Sequence, residues 1–300
     1  MTTVLEIIQA GAAQLTAANV AFGHGTTNAD DEAAWLVLWQ LGLPLDTPLE
    51  GPDSMANMPV APAQQAQVAT LFEKRITTRK PAAYLTQEAW LQGVPFYVDE
   101  RAIVPRSFIA ELLVDPDQTG SIDYWLGEHT QRVLDLCTGN GSLAVLAAMV
   151  YPDVLVDAAD ISADALAVAR INVDKHGLAD RISLHTSDGL SDLSGPYDLI
   201  VCNPPYVNST SMAALPAEYL AEPALALAGG ADGMNFIRQL LRDAPSRMSE
   251  HAVMVLEIGN ERAYFEAAFP TLEVVWLETS AGYDQVLLLT RAALVALADA

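Results

Sequence analysis

The second half of this 300-residue sequence predicts a doubly wound α/β domain, from about residue 131 onward. Three observations carry the prediction. Short apolar runs recur there, with helical runs or loops between them: RVLDLC, VLVDAAD, RISLHT, YDLIVC and AVMVLEI. These runs are continuous, not alternating, which suits parallel strands buried on both faces of a sheet. The first of them leads through a Gly-containing turn, CTGNG, into a helix that begins near Gly141. Two further runs, LEVVWLET and DQVLLLTR, close the domain as a candidate antiparallel edge, and ALVALADA ends the chain as a short helix or frayed terminus.

The elements before this domain are of another kind. Residues 4–20 and roughly 30–42 place apolar positions at helical spacing, the second run opening on acids in its first turn. A Pro-rich stretch over 44–62 precedes a third helix at about 63–79. This all-helical segment contains no polar constellation that suggests chemistry, so residues 1–80 read as an accessory domain. Residues 89–106 alternate and turn like a short β-hairpin, and SFIAELLV follows as a helix with Ser107 as its expected N-cap. DPDQTGS, 115–121, reads as a loop. The expected division is thus 1–80, a hairpin with connecting helix over 81–120, and a catalytic domain over 121–300.

Composition excludes several classes of function. A 51% hydrophobic content fits a globular chain, and no apolar run reaches membrane-spanning length. The N-terminus lacks a basic region before an apolar one, so a cytoplasmic protein with no membrane partner is expected. Two cysteines, Cys137 and Cys202, cannot form a disulfide framework, and five histidines show no ligand spacing, so no metal is expected. The chain carries 38 acidic and 15 basic residues, a net charge of −23. With no basic stripe to neutralise phosphates, direct nucleic-acid binding is not expected. The acidity serves either solubility or attraction of a basic partner.

Chemistry concentrates at the ends of the predicted strands. Gly139 and Gly141 allow a ligand to approach the backbone at a helix N-terminus, although CTGNG lacks the dinucleotide G-x-G-x-x-G spacing. Asp135, just before that turn, would repel a pyrophosphate and could hold an ammonium group. Asp160 ends the second strand, where a carboxylate can accept both hydroxyls of a ribose. It could instead cap the next helix, although Ser162 offers an alternative cap. Asp188 and Gly189 follow the third strand, as an adenine contact or as plain turn residues.

The tetrapeptide NPPY, 203–206, follows the fourth strand. Prolines remove backbone donors and leave carbonyl acceptors, and Asn203 adds a side-chain oxygen. Asn203 and Pro204 could therefore grip an NH2 group by both hydrogens, with Tyr206 flat against a planar substrate. A rigid turn accounts for the prolines but not for their Asn and Tyr flanks.

With DLCTGNG, DIS and NPPYV in place, the chain resembles the class I S-adenosylmethionine-dependent methyltransferases that act on planar nitrogen, a Rossmann-like fold. Residues 80–113 and 215–234 are similar to the protein glutamine methyltransferases of the HemK group, and most to its PrmB branch. The resemblance spans roughly residues 70–290; the N-terminal helices match in kind only. It implies S-adenosylmethionine as cofactor, held by Asp135 and by Cys137, Thr138, Gly139, Asn140 and Gly141 at the methionine end. Asp160 and Ile161 would serve the ribose, Asp188 and Gly189 the adenine, and Asn203 the reacting end. Asn203, Pro204, Pro205 and Tyr206 would hold the substrate glutamine, with Arg106 and Ser107 in the segment covering the site. The implied partner is the basic third protein of the large ribosomal subunit. Three departures stand out: Cys137 where a glycine is usual, Phe108 where a proline is expected, and Asn140 and Ser142 where serine and cysteine are more usual.

Overall fold

The computed structural model describes residues 1–114 and 122–298, so the loop expected at 115–121 lies outside the described residues. The chain divides into two units, one of residues 1–89 with 215–222, the other of residues 90–214 with 223–300.

The first unit is helical. Helix α1, Val4–Ala17, starts on a capping box in which Thr3 and Glu6 satisfy each other's backbone N–H groups. Helix α2, Ala29–Leu41, is capped by Asn28 and stops at Gly42, whose φ of 68° lies in the left-handed region. Helix α3, Pro62–Thr78, begins on the proline that its first turn tolerates, and α4, Ala82–Thr86, is a single turn. Leu15, Leu36 and Phe72 are fully buried here. The buried Arg75 donates to Glu32 at 2.7 Å, to Glu218 at 3.3 Å and to the Ala21 carbonyl at 2.8 Å. Glu218, with Glu222 lying 3.5 Å from His24, explains why 215–222 belongs to this unit despite its place in the chain.

The second unit opens within a hairpin, β1 (Ala89–Leu91) and β2 (Val94–Phe96), turned by Gln92 and Gly93, both at positive φ. Strand pairing ends at Phe96; residues 97–108 continue as irregular backbone into α5, Ile109–Val114. The remaining elements are β3 (Arg132–Leu136), α6 (Ser142–Val150), β4 (Leu155–Asp160), α7 (Ala163–Lys175), β5 (Ile182–Thr186), β6 (Tyr197–Cys202), β7 (Val207–Asn208), α8 (Ser209–Ala214), β8 (Ala228–Gly230), α9 (Asn235–Asp243), β9 (Met248–Glu257), α10 (Arg262–Ala268), β10 (Val275–Thr279), β11 (Gly282–Thr290) and α11 (Arg291–Ala298).

Seven strands form one sheet in the order β10-β11-β9-β6-β3-β4-β5. The five from β9 to β5 are parallel, and β11 and β10 add the antiparallel edge that the sequence predicts. Each central strand sends alternate residues to opposite faces. Val133, Leu199, Val253 and Val286 join α5 and α6 on one side; Leu134, Ile200, Met254 and Leu287 join α9 and Phe265 on the other. Two cores on one sheet require strands apolar at every position, which is why the runs are continuous. No helix among the described residues is long and apolar enough to cross a membrane.

Candidate active site

Strands β3, β4, β5 and β6 present their carboxyl ends together, where open α/β sheets bind ligands. There the second unit holds an open cleft. Cys137, Gly139, Asp160, Ile161, Asp188, Gly189, Asn203 and Pro205 line it, eight of the expected site residues. The remaining expected residues are not among those lining it: Asp135 lies in β3, Thr138, Asn140 and Gly141 follow in the loop to α6, and Pro204, Tyr206 and Arg106 are those the sequence reading gives to the substrate.

The loop after β3 is held by carboxylates. Asp135 is fully buried; its Oδ2 accepts from the Thr138 hydroxyl at 2.5 Å and from the Ala144 N–H at 2.9 Å. Its Oδ1 and the Asn140 Nδ2 are buried without partners. A buried carboxylate oxygen left unpaired is costly and fits an ammonium group. Burial raises the Asp135 carboxyl to about 7, against the two hydrogen bonds that lower it. Asp160 accepts the Gly139 N–H at 2.9 Å and the Ser162 N–H at 2.9 Å. Ser162 itself caps α7, so Asp160 is not the helix cap and braces the loop, with lone pairs left for hydroxyl donors. Burial raises its carboxyl as well.

Backbone geometry shows why glycine is the usual residue at position 137. Its φ is 60°, the left-handed region that glycine adopts freely and a cysteine occupies at a cost of about 1 kcal/mol. Gly141 caps α6 at φ 82°, and a Cβ there would lie 3.1 Å from that of Ala169, so its glycine is required by α7.

Several contributors were not foreseen from the sequence. Asn172, on α7, grips the Tyr97 backbone by both N–H and carbonyl and donates to the Asn140 carbonyl at 2.8 Å. Arg101 lines the cleft, its guanidinium paired with Asp99, which it holds at about 2. The largest group missed is the turn after β9, EIGNE at 257–261. Glu257 accepts from the Ser107 hydroxyl at 2.6 Å, the Phe108 N–H at 2.9 Å and the Tyr206 hydroxyl at 3.2 Å. Glu261 accepts from the Asn208 side chain at 2.8 Å. A Cβ on Gly259 would meet the Tyr206 ring at 2.5 Å, and one on Gly233 would meet the Tyr206 carbonyl at 2.2 Å. The glycines of AGGADGM and EIGNE therefore let two backbones close on Tyr206. A glutamate ending an apolar strand and followed by glycine was the available signal. Ser107 accepts from the Ile109 N–H at 3.2 Å, so it caps α5 as expected while also donating to Glu257.

Arg106 donates to the Val104 carbonyl at 3.1 Å and its charge acts on Glu257. It is not among the residues that line the cleft.

Residues 122–258 match the family model described as the Methyltransferase small domain. A ribosomal protein uL3 glutamine methyltransferase of Bordetella pertussis is 51% identical over 97% of this chain and 96% of its own length. Namesakes from Burkholderia pseudomallei and Neisseria meningitidis serogroup A are 50% and 47% identical, over 99% and 97% of this chain and 97% and 94% of theirs. Among solved structures, the hMettl16 catalytic domain in complex with MAT2A 3'UTR hairpin 6 aligns with a TM-score of 0.50 at 14% identity. That alignment covers 76% of this chain and 81% of the other, and shows a shared fold.

Proposed function

The chain belongs to the ribosomal protein uL3 glutamine methyltransferases, and from that premise we propose that it transfers a methyl group from S-adenosylmethionine to the side-chain nitrogen of a glutamine in the third large-subunit ribosomal protein. One observation carries the reading: Asn203 and Pro205 of NPPY stand on the wall of the same cleft as Asp160 and Gly139. Donor and acceptor residues thus share one enclosure.

The donor's fit rests on the orphaned Asp135 oxygen for an amino group and on the Asp160 carboxylate for ribose hydroxyls. Phe236 and Leu225 offer apolar wall for the adenine ring, with Asp188 as an acceptor for its amino group. When bound, S-adenosylmethionine supplies an electrophilic methyl on a sulfonium. The protein's task is then to aim a poor nucleophile, since an amide lone pair is delocalised into its carbonyl. In this reading the Asn203 side-chain oxygen and the Pro204 carbonyl accept the two amide hydrogens and present the nitrogen in line with the methyl. Such orientation is worth roughly 7–11 kcal/mol in the best intramolecular models. Tyr206 excludes water from the amide plane while sulfonium charge disperses. No base is assigned, and the proton departs to water after transfer.

The basic partner accords with a surface carrying −23 net charge, which speeds encounter with a cationic protein. The helical unit is assigned to recognition of that protein, and removing it should raise the substrate KM while sparing cofactor affinity. The test offers isotopically labelled S-adenosylmethionine with unassembled uL3, a peptide release factor, duplex DNA and RNA in parallel, followed by mass-spectrometric mapping. Label on one glutamine of uL3 alone is the expected result. Label on the release factor would keep the chemistry and change the substrate; label on nucleic acid would overturn both.

A further inference from the structure

One carboxylate of the catalytic unit has no part in the reaction just described. Glu257 is the last residue of β9, beside β6, and is 3% exposed. Its neighbours in the chain, Leu256 and Ile258, are core residues. An acid in such a place costs stability unless its oxygens are filled, and here they accept three donors. Ser107 and Phe108 share Oε2, and Tyr206 donates to Oε1. Only a carboxylate can accept all three without turning a donor of its own toward one of them. The Phe108 N–H matters particularly, because the proline expected at this position has none.

We propose that Glu257 is a positioning residue for methyl transfer: it ties the Tyr206 ring to the segment 106–108, so that the acceptor side moves as one rigid piece. The proposal rests on reading NPPY as the acceptor clamp. Glu257 touches neither donor nor acceptor in this account and acts through Tyr206. Its three donors come from two stretches far apart in sequence, 107–108 and 206, and it is the group they have in common. Gly259, two residues on, completes the arrangement by letting the turn lie against the ring.

The test compares Glu257→Gln in the native and the Tyr206→Phe backgrounds. A glutamine at 257 keeps the size but must point its NH2 at one of the three donors; the hydroxyl of Tyr206 can reverse to accept it, whereas the Phe108 N–H cannot. Single-turnover methyl transfer at saturating cofactor should fall about ten-fold in the native background, as the charge-assisted hydrogen bond from Tyr206 becomes a neutral, reversed one. With Tyr206→Phe already present, the same change should cost less than about three-fold, and cofactor Kd should stay within about two-fold throughout. Equal losses in both backgrounds would mean that Glu257 acts only on stability, and would overturn the proposal. Hydrogen exchange in Glu257→Ala gives a readout free of activity. The segments 104–109 and 203–208 should exchange faster together while β3 keeps its protection; acceleration of one segment alone would also overturn it. If the native enzyme methylates no glutamine, the reading of the reaction fails, and the exchange result still decides the role of Glu257.

Discussion

The two sides of the cleft, which we assign to methyl donor and methyl acceptor, are built by opposite strategies. On the donor side, the β3–α6 loop is stitched by partners close in sequence: Asp135 bonds Thr138 three residues on and Ala144 nine residues on. Its longer ties, from Gly139 to Asp160 and from Asn140 to Asn172, span 21 and 32 residues and reach only the next strand and the helix after it. On the acceptor side, Glu257 joins Ser107, 150 residues away, to Tyr206, 51 residues away. Glu261 holds Asn208 across 53 residues. A short, local loop suits a ligand that is the same for every turnover. A clamp anchored from distant strands suits a reaction whose yield depends on the angle at which an amide meets the methyl.

If the two sides are separately built, they should break separately. The largest effect is expected at Asn203→Ala, which should lower single-turnover methyl transfer by about 100-fold or more, with cofactor Kd changed by less than about three-fold. Equal losses in both would make Asn203 a donor-side residue. Gly259→Ala should follow, because a Cβ 2.5 Å from the Tyr206 ring at φ 52° forces the turn off the clamp. A loss of about 2–4 kcal/mol in denaturant stability is expected, with turnover falling and cofactor affinity spared in the folded fraction. Asp160→Ala should do the reverse, weakening cofactor binding by about 10–100-fold in calorimetry, since it removes both the loop brace and the hydroxyl acceptor.

A pH series sharpens the same contrast. The Asp135 carboxyl is pushed up to about 7, above its unfolded value of 3.8, because burial disfavours its charge. A folded value raised in this way adds stability that is complete below pH 3.8 and is lost as pH rises through about 7. An ammonium ligand favours the ionised form, so cofactor binding should release a proton and weaken by up to about ten-fold per unit as pH falls below 7. Isothermal titration in buffers of different ionisation heat measures that proton directly. The smallest effect is expected at Cys137→Gly: relief of the left-handed backbone and loss of the thiol's packing should offset to within about 1 kcal/mol, with cofactor affinity kept.

The contrast also explains what was legible in the sequence. The donor loop could be read because its chemistry is local: Asp135, Gly139 and Gly141 stand in one heptapeptide, and Asp160 marks the end of the next strand. The sheet was equally legible, since runs such as YDLIVC and AVMVLEI carry the signature of two buried faces. NPPY was found, but the residues that hold it were not. Glu257 reads in sequence as the end of a hydrophobic strand, and its role exists only once β9 lies beside β6. The inclusion of 215–222 in the helical unit was hidden for the same reason: it depends on Arg75 meeting Glu218, 143 residues away.

The most direct test of separate construction is the double variant Asp160→Ala with Asn203→Ala, measured beside each single one by calorimetry and single-turnover transfer. The account predicts the cofactor Kd of Asp160→Ala and, at saturating cofactor, the turnover of Asn203→Ala, each within about two- to three-fold. A double variant that departs from both by more than about ten-fold would show that the two sides act as one network, contradicting the account.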